Sequence, residues 1–313
     1  MTKRMLIDAE YLEETRVVVT NDNEIEDFDH ETTTKKQNRG NLYLAKIARV
    51  EPSLQAAFVD YGNERHGFLA FSEIHPDYFQ IPIADKEELL KGESSQLDEQ
   101  ENVDENAIDE ENDSSNNSVK KNPPKRSNFY HKYRIQEVIK KGQILLVQVA
   151  KEERGNKGAA LTTFISLAGR YCVLMTNAIR KGGISRRITH SNDRKKLRSI
   201  IEGLNIPTNM GVIIRTAGSK MNKVEIKRDY NFLTKTWESI KAHTLKSVAP
   251  TLIHEENNII KRGIRDLYTA EVEEIFVQGV SAFKAAKSYM KTLMPSKTKI
   301  ILEYKDKTPL LQK

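Results

Sequence analysis

Along this chain the apolar positions come in runs of strand length as far as residue 169, and helical spacing takes over only after residue 224. Residues 4 to 30 predict three short strands, "RMLIDA", "TRVVVT" and "EIEDFDH", joined by polar turns around Glu13 and Asn21 to Asn23. Strands resume as "NLYLAKIARVEP", "LQAAFVDYG" and "GFLAF", then again as "QILLVQVAKEE" and "LTTFISLAG". The segments "GRYCVLM" and "GVIIRTAG" add further β-structure on either side of a basic, helix-like stretch.

Five short strands with one long connection between the third and the fourth suit a small barrel of the oligonucleotide-binding type. After residue 224 the period changes: Tyr230, Leu233, Trp237 and Ile240 fall three and four residues apart, as on one face of a helix. A helix at "NNIIKRGIRDLY", a strand at "VEEIFVQ", a helix at "VSAFKAAKSYMKTLM" and a strand at "TKIILEYK" follow. Such alternation predicts an α/β layer with parallel strands.

Length and charge sharpen the picture. A chain of 313 residues can hold two or three modules, each with its own core. No run approaches the roughly 18 apolar residues that span a bilayer, and the first twenty residues lack a signal peptide's apolar block, so the expected address is cytoplasmic. Cys172, the only cysteine, can form neither an internal disulfide nor a cysteine zinc site. Residues 93 to 118 hold ten acidic residues and no lysine or arginine, so a net charge of +6 with those ten removed becomes +16 for everything else. That segment, followed by "KKNPPKR", reads as a disordered acidic insert that interrupts the barrel.

The candidate chemistry begins at "AAFVDYGNERHGFLA". In an extended strand Leu54, Ala56, Phe58 and Asp60 share one face and Gln55, Ala57, Val59 and Tyr61 the other. Asp60 resists burial, which turns the Phe58 face toward solvent. Periodicity leaves two readings for Phe58 and Phe68, core packing or an outward platform that stacks nucleic-acid bases.

Residues 180 to 198 hold eight basic residues against Asp193 alone. Arg194 to Arg198 read as a solvated helix face, whereas the glycines of "GGISRR" let the chain come close to a ligand with Arg186 and Arg187 held beside it, which suits an RNA backbone. Arg215 and Thr216 end a strand, where a guanidinium fork and a hydroxyl suit a terminal phosphate. An arginine paired with a carboxylate and a strand-end threonine is the plainer reading. Asp8 ends the first strand but has no convergent carboxylates in sequence, and Glu13, Glu14 and Glu225 show no metal spacing.

Four segments carry a resemblance. "NLYLAKIARVEPSLQAAFVDYGNERHGFLAFSEI", "KEERGNKGAALTTFISLAGRY", "GGISRRI" and "VIIRTAG", in that order, resemble the amino-terminal half of the bacterial ribonuclease E/G family, and the likeness covers essentially the whole chain except the acidic insert. It implies a mixed α/β multidomain chain, with an OB-fold β-barrel and a 5′-sensor inserted into a ribonuclease-H-like α/β subdomain. The implied parts are 1–38 (ribonuclease-H-like, first part), 39–163 (barrel, with the disordered insert at about 91–126), 164–258 (5′-sensor region) and 259–313 (ribonuclease-H-like, second part).

The resemblance also implies roles. Phe58 and Phe68 would stack bases, with Lys157 lining the same RNA path, and Gly169, Val173, Arg215 and Thr216 would form a 5′-monophosphate pocket in which Val173 bounds the cavity or lends its backbone. The implied partner is single-stranded RNA bearing a 5′-monophosphate, and the full-length form would be a homo-oligomer. The family holds magnesium through two aspartates and an asparagine in a later domain, and some members link subunits through zinc on a cysteine pair. Those aspartates and that pair have no counterpart here, so the expectation is no catalytic residue, no metal and no cleavage by this chain alone, which stops where that domain should begin. It would be the RNA-binding and 5′-sensing half of an endoribonuclease of RNA processing and decay, as a truncated product or fragment. The alternative is a stand-alone module that recognises 5′-monophosphorylated RNA without cutting it.

Overall fold

The computed structural model describes residues 2–11, 13–22, 24–33, 37–83, 85–86, 133–155, 157–178, 182–256, 258–306 and 308–312. The acidic segment at about 91–126, and Arg180 and Lys181 of the basic run, lie outside the described residues.

Strands β1 (Lys3–Asp8), β2 (Glu14–Asn21) and β3 (Glu24–Thr32) form an antiparallel meander. Next come β4 (Leu42–Glu51), β5 (Ala56–Asp60) and β6 (Gly67–Ala70), then a short helix α1 (Ile135–Val138), β7 (Ile144–Lys151) and β8 (Ala160–Thr162). These five strands pair in the order β4-β5-β6-β8-β7, and β7 returns to β4, which closes a barrel of the OB-like kind. Its interior is filled by alternate residues, among them Ile47, Ala57, Val59, Tyr61, Leu69, Val147 and Leu161, with Ile135 and Val138 of α1 packed against them.

The run "LTTFISLAG" does not make one strand. The chain turns at Thr163, fully buried, whose hydroxyl donates to the Glu73 carbonyl and accepts from the His75 N–H, while Asn177 serves the backbone of Thr163 and Ile165. Side chains thus satisfy the peptide groups that a continuing ladder would have used. Beyond this corner β9 (Ser166–Ala168) leaves the barrel and joins β10 (Cys172–Met175), β12 (Gly211–Ile214) and β11 (Gly182–Ile184) in a second sheet, ordered β11-β12-β10-β9.

Helices α2 (Ser191–Glu202) and α3 (Lys223–Thr244) cover that sheet. Leu197 and Ile200 of α2, and Ile226, Tyr230, Leu233 and Ile240 of α3, share one apolar cluster with Leu174, Val212 and Ile214. A strand β13 (Thr251–His254) adds to the outside of the barrel along β4.

The last layer contains α4 (Ile259–Arg262), β14 (Val272–Gln278), α5 (Val280–Leu293) and β15 (Ile301–Glu303). β14 runs parallel to both β15 and β1, so the order β15-β14-β1-β2-β3 unites the two ends of the described chain. The helix at "NNIIKRGIRDLY" forms, with α4 continuing into a wide, π-helical turn at Gly263–Leu267 held by Arg170 donating to the carbonyls of Ile264, Arg265 and Tyr268. One sequence expectation is shortened here. The strand at "TKIILEYK" is reduced to Ile301–Glu303 because a 3-10 turn, Pro295–Ile300, takes up the residues before it. No helix among the described residues is long and apolar enough to cross a membrane.

Candidate nucleic-acid interface

Phe58 and Phe68 face each other across the β5–β6 pair on the outside of the barrel. Their ring centroids lie 6.0 Å apart at 72°, an edge-to-face arrangement. Arg49 is the register partner of Phe58 on β4, and its Cζ sits 4.7 Å from the ring centroid. Ala57, Val59 and Leu69 point inward and are fully buried, whereas Phe58, Phe68 and Asp60 are half-buried. Asp60 therefore reported the outward face correctly. Leu54 does not share it, since it belongs to a 3-10 turn at Pro52–Leu54, and Ala56 on that side is fully buried.

Lys157 is exposed on the loop between β7 and β8, where Arg154 and Lys157 exchange N–H···O bonds of 3.2 and 3.1 Å. The loop is clamped to the β5–β6 turn: Arg65 Nη1 donates to the Gly155 carbonyl, and Phe68 N donates to Ala159 O at 2.7 Å. Gly158 permits that approach, because a Cβ there would lie 2.1 Å from the His66 carbonyl oxygen. Tyr61 ties the base of the loop to the barrel through Glu153, 2.9 Å away, and burial followed by that carboxylate pushes its phenol up. The arrangement brings Lys157 to the β6 side of the aromatic pair.

Arg186 and Arg187 lie on an exposed turn after β11, held by Ser185 N donating to Ile214 O and Ile188 N to Ser185 O. Neither guanidinium has an ion-pair partner among the described residues.

Arg215 meets Gly169 directly, with Val173 on the adjoining strand β10 and Thr216 next to it in the chain. Val173 on β10 is paired with Ala168 and Ile213, and Arg215 N donates to Tyr171 O at 2.8 Å. The Arg215 guanidinium donates from Nη1 to Gly169 O at 2.7 Å and from Nη2 to Asp266 at 2.8 Å. The arginine–carboxylate pair of the plainer reading is therefore present, and it leaves three of the five guanidinium donors. Thr216, exposed, opens a 3-10 turn, and Ser219 N donates to its carbonyl.

Residues that the sequence pattern does not flag build this corner. Asp229 of α3 is buried and accepts from the backbone N–H groups of Arg170, Tyr171 and Cys172 at 3.2, 2.8 and 3.0 Å. Gly169 has no room for a side chain, since a Cβ would stand 2.5 Å from Asp229 Oδ2. An acid on the apolar face, three residues after Ile226 and four before Leu233, was the available signal. Asp266 carries no such signal. Burial raises its carboxyl, but the hydrogen bond and charge of Arg265, joined by Arg215, hold it below the ordinary value. Arg265 in turn reaches Glu256 at 2.7 Å and the Ala168 carbonyl at 3.2 Å.

Asp8 ends β1 opposite Arg16 and Gln278. Among the described residues no three His, Cys, Asp or Glu side chains gather closely enough to hold a metal ion.

Comparison with known proteins gives a consistent answer. The Ribonuclease E/G family model matches residues 166–313. Ribonuclease E of Haemophilus influenzae is 38% identical over 308 residues, covering 98% of this chain and 28% of that protein. Ribonuclease E of Escherichia coli is 39% identical over 291 residues, covering 93% of this chain and 23% of its own length. Ribonuclease G of Escherichia coli is 27% identical over 310 residues, 99% of this chain and 54% of that protein. The chain thus spans roughly a quarter to a half of the length of these relatives.

Proposed function

Since this chain belongs to the ribonuclease E/G family, we propose that it supplies the RNA-gripping part of an RNA-processing endoribonuclease, with the outer barrel face as its platform for single-stranded RNA. One observation carries the reading: Phe58 and Phe68 form a cross-strand pair outside a closed barrel whose interior is already filled, with Arg49 over one ring. An aromatic face stacks on any base, and a nearby cation holds the phosphate that follows, so the grip ignores sequence and weakens with salt. Lys157 supplies charge at the edge of this face, and Arg186 and Arg187 supply it on the neighbouring module.

The same proposal gives Gly169, Val173, Arg215 and Thr216 the 5′-monophosphate of the RNA. A terminal phosphate would take the Arg215 donors that Gly169 and Asp266 leave over, together with the Thr216 hydroxyl. Asp229 fixes the backbone from Gly169 to Cys172, which keeps the Gly169 carbonyl in place as the anchor of the guanidinium. Val173 contributes shape. No cleavage step is assigned to the described residues.

The test is equilibrium binding of one short oligonucleotide carrying a 5′-hydroxyl, a 5′-monophosphate or a 5′-triphosphate. The monophosphate should bind tightest, and Arg215→Ala should reduce it to the level of the hydroxyl. Equal affinity for all three ends removes the pocket, and no binding of any removes the platform as well.

A further inference from the structure

Helix α3 carries a second basic surface that neither the barrel face nor the Arg215 corner uses. Its buried side is spent on Ile226, Asp229, Tyr230, Leu233 and Ile240. On the other side Lys223, Lys227, Arg228 and Lys235 line an open groove of about 550 Å³, bounded across from α3 by Thr292 of α5. No carboxylate lines this groove, and none of the four cations has an ion-pair partner among the described residues. Like charges four residues apart on a helix repel one another. Such a row is retained at a cost unless an anion neutralises it.

The spacing says what kind of anion. Lys223, Lys227 and Lys235 lie on one helical line, with Asn231 filling the remaining step, so these positions recur about every 6 Å along the axis. That is a linear array suited to successive phosphates of an extended strand, whereas a compact anion needs donors converging on one point. The floor is Phe232, half-buried and edge-on to Tyr289 at 6.2 Å, which places an aromatic side chain among the cations. The groove also opens at the amino-terminal end of a 22-residue helix, where the helix dipole favours negative charge.

We propose that this α3–α5 groove is a second contact for the sugar–phosphate backbone of single-stranded RNA, built on helices and separate from the Phe58–Phe68 face. The proposal rests on the RNA-binding reading above. Its consequence is a longer footprint on the RNA than the barrel face alone would give.

The experiment is a salt titration of the full chain with a long 5′-hydroxylated oligouridine, comparing the unaltered protein, Lys227→Gln/Lys235→Gln and Phe58→Ala/Phe68→Ala. Each phosphate neutralised on a single strand contributes about 0.7 to the slope of log K against log salt, so losing two contacts should flatten the slope by about 1.4. Asn231→Lys should steepen it by about 0.7 on the same basis. If the unaltered protein binds and both α3 variants leave the slope unchanged, the groove proposal fails while the barrel reading stands. If the unaltered protein does not bind oligouridine, both fail together. An unchanged slope accompanied by capture of polyglutamate that the double glutamine variant loses would assign the groove to an acidic protein segment and overturn the proposal.

Discussion

Asp266 meets Arg215 at 2.8 Å, on the same guanidinium that donates to the Gly169 carbonyl at 2.7 Å. A phosphate arriving at Arg215 therefore meets a carboxylate already in attendance. The pair is about a third exposed, a setting in which such pairs contribute on the order of 0 to 1 kcal/mol. Asp266→Asn should raise the affinity for a 5′-monophosphorylated oligonucleotide by up to about fivefold, while 5′-hydroxyl binding stays level. A drop in monophosphate affinity would mean that Asp266 orients Arg215 instead of competing with its ligand.

The same carboxyl gives a pH dependence with a definite sign. Its folded value is held below the ordinary 3.8, so the stabilisation is present above the unfolded value and is lost as pH falls through the folded one. Urea midpoints of the unaltered protein and Asp266→Asn should differ near neutrality and converge in acid below that range. A gap that persists there would assign the difference to something other than the charge of Asp266.

Phe58 and Phe68 should matter far more to binding than to folding. Replacing both by alanine should weaken single-strand binding by roughly 2 to 6 kcal/mol if each stacks a base. Leu69, fully buried on the other face of the same strand, is the contrast: Leu69→Ala should cost about 2 to 5 kcal/mol of stability. Filter binding and urea unfolding on the two variants separate the cases. Unchanged affinity in a folded Phe58→Ala/Phe68→Ala protein would end the platform reading.

Asp229→Ala should be among the most damaging single changes in the chain. It leaves three buried N–H groups without an acceptor, at roughly 1 to 3 kcal/mol each. Because Gly169 is shaped by the same carboxylate, Gly169→Ala should destabilise too, and the two changes should combine to less than their sum. A double-mutant cycle by chemical denaturation reads this directly, and strict additivity would show that the two sites do not share the contact.

The barrel was largely legible because its evidence is local. Apolar runs of strand length mark its strands, and Asp60 favoured an outward Phe58 face while periodicity alone left core packing open. The corner at Thr163 was not, because what bends the chain there is a set of partners at Glu73, His75 and Asn177 that no periodicity announces. Likewise Arg215 could be matched to a phosphate by its chemistry, but Asp266 is 51 residues farther along and becomes its neighbour only when the wide turn after α4 folds back. The basic groove escaped for another reason. Lys227, Arg228 and Lys235 are scattered among the apolar positions of α3 in sequence, and only the helix collects them on one side.

The parallel pairing of β1 with β14 sets a timetable for synthesis. Residue 8 must wait for residue 278 before the edge of its strand is covered, and at roughly 5 to 20 residues per second the ribosome needs about 15 to 50 s to make what lies between. By then every strand of the barrel has emerged, since β8 ends at residue 162. Met5 and Ile7, wholly enclosed in the finished sheet, spend that interval on an open edge of a three-stranded meander. A nascent chain stalled before residue 272 should therefore have a protease-resistant barrel and a protease-sensitive amino terminus.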